Sequence, residues 1–146
     1  MANKSNKNSN QISQKILVPL ASLPAVLLPW YDREKRSLPW RDIVTPYRTW
    51  VSEIMLQQTR VQAVLPYFER FMAAAPDVPA LAELAEDRLL SLWQGLGYYS
   101  RARSLQRSAR VMVDQYGGCL PDTYSDLIQL PGIGDYTAGA ILSIAF

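Results

Sequence analysis

The chain has 146 residues, the usual size of one globular domain, and with 49% hydrophobic, 19% charged and 10% aromatic residues it is not a disordered polymer. With no histidine and one cysteine, Cys119, it lacks an internal disulfide, histidine-based triads and the common zinc ligand sets, so chemistry falls to carboxylates, tyrosines, lysines and backbone groups. The net charge of +2 is uneven: Lys4, Lys7 and Lys15 precede any acid and leave 12 basic against 13 acidic residues behind them, so a nucleic-acid surface must be a local patch.

The opening MANKSNKNSNQISQ is polar and has almost nothing to bury, and a disordered tail is expected over residues 1–22. Pro19, Pro24 and Pro29 punctuate the next stretch, so helix is expected from about Trp30 through Arg36 rather than across the prolines. Thr45 is a plausible N-cap with Pro46 in the first turn, and Trp50, Ile54 and Met55 come after it at helical spacing. Val61, Val64, Leu65, Phe68, Phe71 and Met72 repeat with the same period, with Pro66 in a first turn or at a kink.

LAELAEDRLLSLW gives one or two amphipathic turns closed by Gly95 and Gly97, and Ser100 to Tyr116 a long basic helix closed by Gly117 and Gly118. Asp122 or Thr123 can cap a short helix ending at Leu130, and Asp135 to Phe146 is an apolar helix rich in small residues. The expected class is all-α, one helical domain over 23–146. No run of the ~18 apolar residues needed to cross a bilayer is present. The chain stops at AILSIAF inside a helical run with no C-cap, and a truncated domain is the expectation.

Three segments can carry chemistry. In WVSEIMLQQT, Glu53 and Gln57 fall on the face of Trp50 and Ile54, which places a carboxyl group among apolar side chains. Such a group is either protonated, and then a general acid, or paired to an arginine such as Arg41 or Arg48. In LPGIG, Gly132 and Gly134 permit a tight hairpin whose amides and adjoining helix N-terminus can approach a phosphate; a helix connection without a ligand uses similar glycines. In GLGYYSRAR, Tyr98 and Tyr99 are either aromatic wedges or core residues, and Arg101 and Arg103 are candidate phosphate partners. Arg103, Arg107 and Arg110 share one helical face, basic for DNA or merely solvated.

Taken in order, LPWR, PYRTWVSEIMLQQT, PYFERFM, LWQGLGYYSRAR and LPGIGDYTAGAILSIAF resemble the adenine DNA glycosylases of the MutY type, over roughly Trp30 to Phe146. The resemblance implies a helix-hairpin-helix DNA glycosylase fold: an incomplete six-helix domain with the hairpin motif at about 124–146, plus the N-terminal helix of the cluster domain. It implies a monomer that acts on double-stranded DNA, without a membrane partner, and removes adenine mispaired with 8-oxoguanine or guanine by hydrolysis.

By the same resemblance Glu53 is the catalytic acid, and Tyr136 stands where the endonuclease III type has a lysine, which disfavours lyase chemistry. Arg41 lies near the pocket for the extruded adenine. Gln58, Thr59, Leu96 and Tyr98 lie at the intercalation point and the opposing damaged guanine. Gly132 and Gly134 hold a phosphate, with a possible monovalent cation. The family's catalytic Asp and the four cysteines of its 4Fe-4S cluster have no counterpart here, and Cys119 matches none of them, so impaired activity or a non-catalytic helix-hairpin-helix DNA-binding module is also expected. The expected place of action is a bacterial cytoplasm with its nucleoid, or a nucleus or mitochondrion.

Overall fold

The computed structural model describes residues 19–146, so most of the expected tail, residues 1–18, lies outside the described residues. The chain divides into two compact units with the boundary after Arg36. In the first, a short 3-10 turn at Leu20–Ser22 leads into α1 (Leu23–Glu34), seven residues before the helix start expected at Trp30. Pro24 occupies the first turn, where helix N–H groups have no partner in any case, and Pro29 lies inside the helix, which continues through it to Glu34. None of the residues of α1 is buried, and Leu27, Leu28, Trp30 and Tyr31 are all exposed.

The second unit, Ser37–Phe146, holds α2 (Pro39–Asp42), α3 (Pro46–Leu56), α4 (Val61–Ala74), α5 (Val78–Glu83), α6 (Glu86–Trp93), α7 (Ser100–Gln115), α8 (Tyr124–Leu127) and α9 (Asp135–Ala145). There is no strand among the described residues, and the all-α class stands. Local chemistry sets several boundaries. Thr45 Oγ1 accepts from the Arg48 amide at 3.1 Å to start α3, Asp77 from Ala80 at 2.9 Å to start α5, and Thr123 from Asp126 at 3.2 Å to start α8. Pro66 sits inside α4, which continues through it to Ala74.

The apolar stretch before Gly95 forms two helices. Buried Gln106 of α7 donates from its side-chain amide to the carbonyls of Leu81 and Leu84, and so satisfies backbone acceptors at the break between α5 and α6. α8 is shorter than expected, because the backbone turns after Leu127 toward the hairpin.

Helix α3 lies at the centre, packed on α2, α4, α7 and α9, while α5 packs along α7. Its Trp50, Val51 and Met55 are fully buried, as are Phe68, Phe71, Leu105 and Ile141 from its neighbours and Trp93 of α6. Each large side chain buried in this way contributes roughly 1.5–3 kcal/mol. Trp40 meets Phe68, and Phe71 meets Trp93, edge to face at centroid separations of 5.1 and 6.1 Å. A helix clamped on several sides is a rigid platform for whatever it carries.

Candidate functional site

Glu53 is the one acidic residue of α3, on a helix whose other residues from Tyr47 to Met55 are buried except Arg48. Its carboxyl is half-buried rather than sealed. Burial raises its pKa above the ordinary carboxylate value; the positive charge of Arg41 and hydrogen bonding from the Tyr136 hydroxyl oppose this without cancelling it. Arg41 on α2 and Tyr136 on α9, both exposed, thus converge on one carboxyl group from separate elements. The structure does not pair Glu53 with Arg48: that guanidinium donates to the Pro39 carbonyl at 2.8 Å and lies over the Phe68 ring. Among the described residues Glu53 makes no salt bridge. Gln57, one turn on, reaches Thr137 Oγ1 of α9 at 3.5 Å.

The hairpin is built on a turn in which the Ile133 amide donates to the Leu130 carbonyl at 3.1 Å, with Pro131 and Gly132 at its centre. Gly132 has φ +80°, and a Cβ there would stand 2.8 Å from Ser104 Cβ of α7. Both facts require glycine. Gly134 differs: it is the extended N-cap of α9, with φ −98° and ψ −178°, and open space lies where its Cβ would be. The hairpin is fastened to α7 by Ser108 Oγ, which donates to the Pro131 carbonyl at 2.6 Å. A cavity of about 100 Å³ lies beside it, lined by Trp50, Ile54, Arg101 and Ser104 among others. Asp135 is occupied, accepting from the Tyr124 hydroxyl at 2.7 Å.

The remaining predicted residues fall into two loops. Gln58 is exposed and comes just after α3 with φ +59°; Thr59 is half-buried, its hydroxyl donating to the Gln57 carbonyl at 3.3 Å. Tyr98 is 65% exposed with φ +49°, and Tyr99 is exposed too, so neither tyrosine is a core residue. Leu96 is buried, so Gln58 and Tyr98 are the side chains that stand out from these loops.

Arg101, read from sequence as a phosphate partner, is turned inward: it donates to the carbonyls of Ile54, Met55 and Gln57 and to those of Leu96 and Gly97. Its partners lie up to 47 residues away, and no spacing rule signals them. Arg103, Arg107 and Arg110 do share one exposed face, with Arg103 paired to Glu86 at 2.8 Å, Arg107 bonded to Ser104 and Arg110 to the Ala82 carbonyl.

Residues 51–142 match the family described as HhH-GPD superfamily base excision DNA repair protein. The chain belongs to that family. It is 46% identical over 121 residues to an adenine DNA glycosylase of Buchnera aphidicola (subspecies Baizongia pistaciae), a match covering 82% of this chain and 34% of that protein. It is 50% identical over 129 residues to the adenine DNA glycosylase of Mus musculus, covering 82% of this chain and 25% of that protein. The chain therefore spans about a quarter to a third of the length of these curated relatives.

Among solved structures, a thermostable thymine-DNA glycosylase superposes with a TM-score of 0.76 at 27% identity, covering 84% of this chain and 57% of the other. An endonuclease III–DNA covalent intermediate superposes with a TM-score of 0.70 at 21% identity, covering 82% and 55%, and so shares the fold. A 4Fe-4S cluster takes four cysteine ligands. This sequence has only Cys119, which is exposed, so the residues present do not fit a cluster.

Proposed function

We propose that this chain takes part in base excision repair as a monofunctional adenine DNA glycosylase acting on duplex DNA with adenine opposite 8-oxoguanine or guanine. The observation that carries this reading is the Glu53 carboxyl, held partly out of water on the rigid α3 with its pKa raised and with Tyr136 and Arg41 converging on it. A carboxyl whose pKa is raised by burial is suited to act as a general acid.

In the proposed reaction Glu53 gives its proton to the adenine ring, the electrons of the N-glycosidic bond leave with the purine, and the sugar becomes an oxocarbenium-like cation. A water molecule then adds its oxygen to the anomeric carbon and gives up a proton to the Glu53 carboxylate, leaving a hydroxyl where the base stood and restoring the acid. Tyr136 lies close enough to the carboxyl to lower its pKa and has no amine with which to form a Schiff base, which supports hydrolysis over lyase chemistry. Arg41, whose charge acts on Glu53, is assigned to the pocket that receives the extruded adenine. Gln58, Thr59, Leu96 and Tyr98 form the loops that hold the duplex open, since the bond is unreachable inside the stack. The Gly132 and Gly134 hairpin takes a backbone phosphate, with or without a monovalent cation on its carbonyls. The chain works as a monomer wherever its DNA lies, a bacterial nucleoid or a eukaryotic nucleus or mitochondrion.

No second carboxylate acts on Glu53 among the described residues. With the Glu53 carboxylate left to serve both as spent acid and as counter-charge to the positive sugar, excision by these residues is expected to be slow. The test is single-turnover release of adenine from a duplex with adenine opposite 8-oxoguanine, alongside competition binding against a matched duplex. Slow release abolished by Glu53→Gln, with preference for the mispair, is the expected result. Release indifferent to that substitution overturns the role of Glu53, and equal binding of matched and mispaired duplex overturns the substrate.

A further inference from the structure

The two loops that carry Gln58 and Tyr98 are distant in sequence, and each contains a non-glycine residue in the left-handed region of backbone space, with φ of +59° and +49°. Among the described residues no other non-glycine residue has positive φ. Such conformations persist where surrounding contacts impose them. Both loops are held by the same side chain. One terminal nitrogen of Arg101 donates to the Ile54 carbonyl at 2.8 Å, to Met55 at 3.3 Å and to Gln57 at 2.6 Å, at the C-terminal end of α3. The other donates to Leu96 and Gly97, each at 3.3 Å. Arg101 thus grips the carbonyl immediately before Gln58 and the one immediately before Tyr98.

These acceptors include carbonyls that a helix end leaves without an internal partner, and a cation there is also favoured by the helix dipole. The guanidinium lies 5.5 Å from the Trp93 ring centroid and 5.6 Å from that of Tyr98, so it also touches one of the exposed side chains it positions. None of its bonding partners is a carboxylate, and its planar fork reaches two backbone segments at once, which an ammonium group cannot reproduce.

We propose that Arg101 is a positioning residue that locks the Gln58 and Tyr98 loops into a single unit, so that the two exposed side chains enter a duplex together rather than as independent fingers. The locking is a property of the protein alone; its use on DNA rests on the function proposed above.

The test uses the full 146-residue chain. Amide exchange is measured at Thr59 and Leu96, whose N–H groups donate to Leu56 and Trp93, with Ala75, which donates to Phe71, as a distant reference. In the unsubstituted protein Thr59 and Leu96 are expected to open with the same denaturant dependence. In Arg101→Lys both are expected to lose about tenfold in protection while Ala75 is unchanged. On a duplex with 2-aminopurine beside the mispair, read at protein concentrations that saturate the duplex, the substitution is expected to remove the fluorescence rise that reports unstacking.

Loss of protection at one loop only, or at neither, overturns the proposal. If Arg101→Lys does not fold, the unsubstituted protein decides: a shared opening supports the lock, and separate openings overturn it. If the unsubstituted chain neither binds duplex nor unstacks the probe, the DNA reading fails and the proposed use of the lock fails with it, while the exchange result still reports the lock.

Discussion

The two hairpin glycines separate folding from binding. Gly132→Ala forces a side chain into φ +80° and drives a Cβ to 2.8 Å from Ser104 Cβ, an atom fixed to the α7 backbone. An L-residue in the left-handed region costs about 1–2 kcal/mol and overpacking typically adds about 1–3, so a loss of about 2–5 kcal/mol is expected. Gly134→Ala meets neither obstacle, since its backbone is extended and open space surrounds the new methyl. The reduced freedom of the unfolded chain adds roughly 0.4–1 kcal/mol, and the poorer N-cap quality of alanine takes back a similar amount, which leaves stability nearly unchanged.

On the proposed phosphate role of the hairpin, that methyl would nevertheless stand in the way of a backbone phosphate approaching its amides. Losing one charge-assisted amide contact corresponds to about tenfold in affinity. Urea unfolding read by the fluorescence of buried Trp50 and Trp93, together with anisotropy of a labelled duplex, measures both quantities. A Gly134→Ala protein that is stable and binds duplex like the original would refute the phosphate role of the hairpin. A Gly132→Ala protein of unchanged stability would refute the packing argument.

Glu53→Gln is expected to reduce single-turnover excision by about 10²–10⁴-fold, the usual contribution of a positioned general acid. Because the folded pKa of Glu53 is raised, the folded chain holds that proton more tightly than the unfolded one. Relative to Glu53→Gln, the stability of the unsubstituted chain is therefore expected to be greatest below the unfolded carboxyl value of about 4.3 and to fall as pH rises through the folded value; the opposite slope refutes the burial argument. Tyr136→Phe removes a hydroxyl that favours the charged form of Glu53, so the alkaline limb of the excision profile is expected to move to higher pH. Thr45→Ala deletes the 3.1 Å cap on the Arg48 amide and is expected to cost about 1 kcal/mol, seen as a lower urea midpoint at unchanged slope.

The sequence alone determined what neighbouring residues settle among themselves. The helices from Pro46 to Ala145, the Thr45 cap and the need for glycine in the turn come from spacings of a few residues, for which local hydrogen bonds and side-chain periodicity suffice. Glu53 could be placed on a buried helix by the same reasoning, although not the half-exposure that the packing of α3 leaves it. Only the tertiary structure decided the partners of charged groups and the unusual backbone. Arg101 turns inward to carbonyls that lie 44–47 residues away, Tyr136 and Arg41 meet at Glu53 from different helices, and α1 begins ahead of Trp30 across a proline. A guanidinium is drawn to whatever unpaired carbonyls the packed fold presents, and those acceptors come together only when distant helices have docked.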